Sequence, residues 1–543
     1  MSGLRPGWAR GPIQEAMAEG LARGGGRLAL AGGGEAVQSA LTYAELEARI
    51  RAASRALCAV LGAAVPRHVG FRLGNRPGYV VAYFATLAAG HLPLLLDAGF
   101  NTGEIDSIRR DCGLDALVVE RPDALGAALP GQAEAVPLAE GVVLLPLARL
   151  GEPAPRPPRP STQVCRFTSG TTGRPKCLEF SGEAVVAAAR NWILGTAMTG
   201  GDRTLCLAAL SNGLAFNTSL LSTFLAGGEL HFLSGAPLSR VVAGRIARTG
   251  ITRLVAFPTL YRNFVAAGGP DAANLAGLRC AISAGAPLWP DVREEFRVRY
   301  GIDISDYYGI AETGPCTFER DPGYHSGLGE PLPGVEIRIE PPEGGAAGAA
   351  DPVDTGAGRA DIGAAGVATE APAGRVLVRS ASMASGYLNH PGLLEERVDA
   401  AGFYHSGDRG RIVDGRLHLV GRTEDHINVA GRKVDPNEIV AVVAALAGVD
   451  DAVAFPDDDS NRETLVHLVV AAAPGGPVTR AAVVAACRER LAPYKVPGRI
   501  SFVPAIPRTG IGKPRIALIR EQLGAGGGAG AGAPGASPAP APV

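Results

Sequence analysis

Residues Phe167-Thr168-Ser169-Gly170-Thr171-Thr172-Gly173-Arg174-Pro175-Lys176 bring together four hydroxyl side chains, two glycines and a lysine. The stretch follows Gln163–Phe167, whose valine, cysteine and phenylalanine read as a buried strand. Glycine lets a backbone close around an anion, because no Cβ blocks the approach or the unusual φ values. Serine and threonine donate to phosphate oxygens, and lysine adds a point charge. Pro175 separates Gly173 from Lys176, so this is not the G-x-x-x-x-G-K-[ST] loop that opens a helix. Taken alone, the run also fits an ordinary Gly/Thr-rich surface turn.

Four further segments concentrate groups of chemical use. They are Asp306-Tyr307-Tyr308-Gly309-Ile310-Ala311-Glu312-Thr313, Gly386-Tyr387-Leu388-Asn389 leading to Tyr404-His405-Ser406-Gly407-Asp408, the run from Gly421 to Ile439, and Leu491–Pro497 followed by Pro507–Lys513. Singly, each has a plain reading. Glu312 fits a surface carboxylate, Asp408 a turn residue after Ser-Gly, and Lys513 a solvated lysine. Arg432, Lys433 and Arg515 fit surface charges, and His405 and His426 structural histidines.

The elements that must position these groups alternate. Thr42 and Glu45 form a capping box, and Leu46, Ile50, Leu57 and Leu61 follow at helical spacing, which predicts a helix over 42–62. Strands are predicted at 69–73, 92–96 and 116–120, with helices at 79–89 and 104–110. Residues 121–162 are mixed, and the proline-rich run from Pro153 to Pro160 reads as an extended connection. Alternation resumes with strands at 205–210, 229–233, 254–257 and 280–283, and helices at 185–194, 241–248, 261–267 and 291–300. This pattern predicts a parallel α/β layer. Residues 340–374 read as a surface loop, short strands begin at Val376, and a smaller α/β unit follows Glu424. The Ala/Gly/Pro tail, 524–543, cannot build a core.

Composition narrows the function class. With 52 Lys+Arg against 53 Asp+Glu the net charge is −1, so no basic balance points to nucleic acid. Eight cysteines form no C-x-x-C or zinc spacing and read as reduced thiols of a cytoplasmic protein. Nine histidines form no metal cluster. The N-terminus lacks the apolar core of a signal peptide. Gly90, His91 and Pro93 interrupt the apolar stretch from Val80 to Leu96, so no membrane span is expected.

In order and separation, the loop at 167–176 and the four later segments resemble the acyl-adenylate-forming superfamily of acyl- and aryl-CoA synthetases, nonribosomal adenylation domains and luciferase. The resemblance covers roughly residues 40–520. It implies an α/β fold: a large N-terminal domain of parallel α/β subdomains with a small β-barrel (1–423), then a mobile smaller α+β domain (424–523). It also implies ATP, Mg²⁺ and CoA. Thr168, Ser169, Gly170, Thr171, Thr172, Gly173 and Lys176 would hold the β- and γ-phosphates, and Glu312 would hold Mg²⁺. Tyr308 would stack on adenine and Asp306 accept from its amino group. Tyr307, Gly309 and Ala311 belong to the same motif, and Gly285 and Ala286 would line the adenine slot. Asp408 would accept from both ribose hydroxyls, with Arg422 beside it. Lys513, reaching from the second domain, would act on the carboxylate during adenylation. Rotation about Glu424 would then bring the face at Gly431, Arg432 and Lys433 to the pantetheine. Thr168, Lys176, Glu312 and Lys513 are thus the expected catalytic set.

Departures from the family pattern narrow the substrate. Cys177 replaces a usual glycine after Pro-Lys, a change expected to be tolerated. Ala311 replaces a usual threonine or serine, which removes a hydroxyl near the acid, and Lys433 replaces a frequent arginine. Phe216-Asn217 stands where amino-acid-activating domains carry Phe-Asp. Asparagine cannot neutralise an ammonium, so a neutral acyl or aryl acid is expected over an amino acid. Its pocket is assigned to Asn212, Phe216, Asn217, Phe257, Pro258 and Ala284. No carrier domain follows Lys513, so the acceptor thiol, on CoA or on a carrier protein, comes in trans. A stand-alone enzyme loading a carrier protein and a non-catalytic nucleotide-binding protein are the competing readings.

Overall fold

The computed structural model describes residues 8–33, 39–100, 102–125, 129–148, 156–168, 175–234, 237–266, 268–285, 288–324, 327–341, 372–422, 427–429, 432–434, 436–458, 464–472, 476–491, 495–509 and 512–525. Of the expected site residues, Ser169 to Gly173, Ala286, Glu424 and Gly431 lie outside this set. So do most of the 340–374 stretch and the tail beyond Ala525. Chain contacts divide the protein into two compact units, Met1–Val420 and Gly421–Val543.

Two sheets organise the first unit. The larger has nine strands, and its centre is parallel: Leu28–Gly32, Glu229–His231, Arg203–Cys206, Arg253–Ala256, Cys280–Ala284 and Ile304–Ile310 are successive neighbours. Antiparallel strands close both of its edges. The second has eight strands around a parallel centre of Thr162–Thr168, Leu92–Leu95, His68–Phe71 and Ala116–Val119. Leu92–Leu95, Ala116–Val119 and Arg253–Ala256 among them are short and mostly Val, Leu and Ala, as expected where both faces are covered. The helix Tyr43–Leu61 starts at the predicted capping box: Thr42 N–H donates to Glu45 Oε2 at 2.8 Å, and Glu45 N–H to Thr42 Oγ1 at 3.2 Å. Leu46, Ile50 and Leu57 are fully buried along it.

The short strands after residue 330 form a four-stranded antiparallel sheet of Val335–Glu340, Gly374–Ser380, Tyr404–Val413 and Arg416–Arg422. In the second unit, Val449–Asp458, Thr464–Ala472 and Arg499–Val503 form a three-stranded sheet. The helices Pro436–Ala444 and Arg480–Arg490 share a hydrophobic cluster with its strands.

Several elements escaped the sequence reading. Val136–Ala139 and Val142–Pro146 pair as antiparallel strands inside the stretch read as mixed. Pro137 and Pro146 blur their pattern, and the outer strand is at a sheet edge, where proline is tolerated. The N-terminal helix Pro12–Gly24 and the strands Leu28–Gly32 and Ser39–Thr42 were also unread. The final helix Ile516–Ala525 takes in Gly524 and Ala525, assigned above to the tail, because Ile519 and Leu523 still pack on a core cluster.

One buried ion pair anchors the hairpin that follows strand Thr162–Thr168. Glu179, on Lys176–Ser181, is fully buried. It accepts from Arg159 N–H at 2.8 Å, from Thr162 Oγ1 at 3.0 Å and from the Arg159 guanidinium. Arg159 also meets Glu395 at 2.6 Å. Glu179→Ala leaves Arg159 with only this more exposed partner. It should cost about 2–4 kcal/mol, reduced from the roughly 3–5 kcal/mol of breaking a fully buried pair because Arg159 is part-exposed. A urea midpoint matching that of the parent protein would show that the pair contributes nothing.

Candidate active site

The two ends of the phosphate-like run lie on an antiparallel pair of strands. Thr168 ends one strand, Lys176 begins the next, and the two are direct partners across the antiparallel pair. The base of the loop is therefore a hydroxyl opposite an ammonium. Asn389 holds the exit: its Nδ2 donates to Pro175 O at 2.9 Å, and its Oδ1 accepts from Cys177 N–H at 2.9 Å. Cys177 itself is buried among Cys112, Cys165 and Leu388, and burial pushes its thiol well up.

The second motif lies on Ile304–Ile310, beside Cys280–Ala284, with Asp306 opposite Ser283 and Tyr307 opposite Ala284. These are the carboxyl ends of parallel strands, where open α/β sheets place their ligands. A side chain at Gly309 would put its Cβ 2.4 Å from the Tyr307 hydroxyl, so glycine is needed for close approach. Gly285 has φ +86°, and the Phe257 ring lies 3.0 Å from where its Cβ would stand. Asp306 is ion-paired with Arg293. The residue expected to accept from the adenine amino group is thus oriented by an arginine.

Two phenol–carboxylate bonds knit the site. Tyr308 donates to Asp408 Oδ2 at 2.5 Å, which ties Ile304–Ile310 to Tyr404–Val413. Asp408 is 4% exposed, and its N–H donates to Ser406 Oγ at 3.0 Å. Tyr387 donates to Glu312 Oε1 at 2.6 Å. Burial first, and then the adjacent carboxylate, pushes both phenols well above the usual tyrosine range. Both therefore remain donors at neutral pH. Tyr387 and Asn389 lie on one short run, so Glu312 and the exit of the Lys176 hairpin are held from the same place. Neither residue had been given a role from the sequence.

The expected acid pocket centres on a π-helical turn, Phe216–Leu220, a feature frequent at functional sites. Phe216 and Asn217 are buried. Asn212 is a helix cap, accepting from Leu214 N–H at 2.8 Å. Phe257 precedes the helix Pro258–Val265, and Ala284 is buried at the end of its strand. Arg166, unassigned above, reaches this region from strand Thr162–Thr168. Its charge within the apolar run Val164-Cys165-Arg166-Phe167 was the signal that sequence reasoning passed over.

In the second unit, Lys513 is exposed on a turn whose backbone closes on Thr509 at 2.8 Å, and its N–H donates to Thr509 Oγ1 at 3.2 Å. Arg508 braces that turn: Nη1 donates to Gly512 O at 2.7 Å, while Nε and Nη2 each reach Asp451 at 2.6 Å. Arg422, Arg432 and Lys433 lie on strands. Among the described residues, no three His, Cys, Asp or Glu side chains gather as a metal site. No helix among them is long and apolar enough to cross a membrane.

Residues 18–388 match the family model for AMP-binding enzymes, and residues 438–513 match the AMP-binding enzyme C-terminal domain. A feruloyl-CoA synthase from an Amycolatopsis species is 28% identical over 499 residues, covering 90% of this chain and 94% of that protein. The 3-hydroxybenzoate–CoA/4-hydroxybenzoate–CoA ligase of Thauera aromatica is 26% identical over 520 residues, covering 90% and 93%. The ATP-bound MatB structure from Rhodopseudomonas palustris shares the fold at TM-score 0.73 and 22% identity, covering 95% of this chain and 99% of that one.

The site predicts an alkaline limit to stability. Tyr307, Tyr308 and Tyr387 all have raised folded-state pKa values, with burial as the first cause. Their stabilisation is complete below the unfolded tyrosine pKa of about 10 and declines as pH rises beyond it. Ultraviolet titration should show these phenols ionising only with unfolding. Tyr308→Phe combined with Tyr387→Phe should remove part of the delayed absorbance step. A smooth titration near the ordinary value, with the fold intact by circular dichroism, would contradict the burial argument.

Proposed function

Because the chain belongs to the AMP-binding enzyme family, we propose that it is an ATP-dependent carboxylic acid–CoA ligase working through an acyl adenylate. A carboxylate is a poor acyl donor because oxide would have to leave. In the first step, a carboxylate oxygen attacks the α-phosphorus of ATP and the bond to the bridging oxygen breaks, releasing pyrophosphate. In the second, the sulfur of CoA gives up its proton and attacks the acyl carbon, and AMP leaves with the electrons of the C–O bond.

The observation that carries this reading is the shared anchoring of Glu312 and the Lys176 hairpin by Tyr387 and Asn389. Bringing an anion onto a polyanion demands placed positive charge and donors. Thr168 and Lys176, opposite each other at the hairpin base, are proposed to take the β- and γ-phosphates with Ser169 to Gly173. Asp408, oriented by Tyr308 and Ser406, is proposed to accept from the ribose hydroxyls. A single carboxylate completed by phosphate oxygens suits Mg²⁺. Glu312 would hold the ion, which when bound supplies Lewis-acid charge. Lys513 is proposed to meet the substrate carboxylate during adenylation, with Arg508 as a positioning residue for its turn. Gly431, Arg432 and Lys433 are proposed to face CoA after rotation about Glu424.

Asn217 supports a neutral acyl or aryl acid over an amino acid, and the named relatives of aryl-acid type support the aryl branch. Eight cysteines, all free of disulfides, support a cytoplasmic setting.

Pyrophosphate release from Mg-ATP against aryl, fatty and amino acids, with and without CoA, tests the reading. Multiple turnovers that need CoA and yield a thioester are expected. A single burst indifferent to CoA would instead assign a carrier protein as acceptor. No nucleotide binding and no release with any acid would overturn the proposal. Lys513→Ala should cut adenylation by about 100-fold or more, the scale of a lost transition-state donor, yet spare thiolation of supplied acyl-AMP. Equal loss of both steps, or of neither, would sink its role.

A further inference from the structure

Arg166 is 3% exposed, and among the described residues no carboxylate lies within ion-pair distance of it. Its guanidinium faces the rings of Phe180 and Phe216, at 4.3 and 5.0 Å from their centroids. Nη2 donates to Ala311 O at 3.0 Å. Nε is buried without a partner. Nη1 lies 2.8 Å from where a Cβ would stand on Gly213, and the Asn217 amide lies 3.9 Å from that same point. The cation is therefore set between Ala311, which precedes Glu312, and the Phe216–Asn217 turn. On its strand it shares a face with Thr168, about 7 Å further along.

A buried guanidinium needs compensation, because burial removes hydration that only hydrogen bonds or counter-charge replace. Burial pushes this group down to about 10, and Tyr307, Glu312 and Tyr83 pull it back. It therefore stays charged at neutral pH. Among the other buried arginines, Arg253 donates to one backbone carbonyl, while Arg109 and Arg245 each donate to two, with Nε unpartnered in both. Arg166 has one, and stacking aligns its plane while leaving in-plane donors unused. Gly213 supplies the space beside Nη1, since any larger residue would collide there.

Resting on the ligase reading, we infer that Arg166 is a specificity-determining residue that receives an acceptor oxygen carried by the acid in addition to its reacting carboxylate. A hydroxyl, carbonyl or second carboxylate oxygen would serve. Such an acid gives the cation a second polar partner at Nη1, whereas its unsubstituted counterpart leaves it with Ala311 O alone. Sites built to bond a substrate oxygen discriminate strongly against analogues that lack it.

The test compares matched acids under Mg-ATP and CoA: benzoate against ortho-, meta- and para-hydroxybenzoate, and butanoate against succinate. The wild-type protein should favour the oxygen-bearing member of at least one pair by about 10- to 100-fold in kcat/KM. Arg166→Leu should bring that ratio towards unity, mainly through the KM of the oxygen-bearing acid, and Arg166→Lys should restore part of it. Equal losses for every acid would place Arg166 on the reacting carboxylate or in the fold, and an unchanged ratio would leave it no role in selection. Either overturns the inference. Where Arg166→Leu does not fold, Arg166→Gln and the wild-type ratio decide. Turnover of benzoate or butanoate with no preference in any pair sinks the Arg166 assignment and leaves the ligase reading standing. Failure of every acid, with no pyrophosphate release, sinks both.

Discussion

The site depends on a constraint of sign. In the proposed ligase, Glu312 and Asp408 would stand where a polyanion binds, and their charge would have to be kept. Phenols meet this requirement. Tyr387 and Tyr308 each give one hydrogen bond, add no charge, and stay protonated because burial raises their pKa values. An arginine in either place would fix the carboxylate more firmly but would cancel the charge that a metal or a ribose requires. Elsewhere the chain does use arginine for that purpose. Arg159 holds buried Glu179, and Arg293 holds Asp306. The phenol pairs thus fall on the two carboxylates proposed to meet a ligand, and the arginine pairs on Glu179 and Asp306.

The scaffold turns separate sequence motifs into one place. The parallel centre of the large sheet puts Ala284 beside Tyr307. The Tyr308–Asp408 bond brings in the small antiparallel sheet, and the run from Gly386 to Asn389 brings in the hairpin of the second sheet. Each link is a side chain with few torsions or a backbone partner. Little conformational entropy is then left to lose when a ligand binds.

Much of this was legible in the residues. Helical spacing after Thr42, and the apolar runs at 92–96, 116–120 and 254–257, identified their elements because burial on both faces leaves a strong pattern. Edge elements such as Val136–Ala139 were not legible, since half-exposed strands interrupted by proline carry a weak one. The motif glycines, Thr168, Lys176, Glu312 and Asp408 announced themselves by type and order. Their partners did not. Tyr387, Asn389 and Arg293 are ordinary polar residues whose roles arise only from long-range contact, and no local spacing records which carboxylate a tyrosine meets. Arg166 was visible as a charge in an apolar strand, but its lack of a counter-ion is a property of the folded state.

The departures from the family pattern bear on whether the chemistry survives. Cys177 follows Lys176 but packs away from the hairpin, into a cluster with Cys112, Cys165 and Leu388. A raised, buried thiol is inert, and the backbone N–H at this position is held by Asn389. The Cys177 side chain is therefore part of the core. Ala311 lacks a hydroxyl, but its carbonyl receives Arg166, so the position gains a cation through its backbone in place of a donor on its side chain. A decaying nucleotide site would be expected to lose charged and hydrogen-bonded groups at random. Here both changes are accommodated by specific contacts, and both phenol–carboxylate bonds are kept. The arrangement fits a ligase adapted to a particular acid better than a protein that only binds nucleotide.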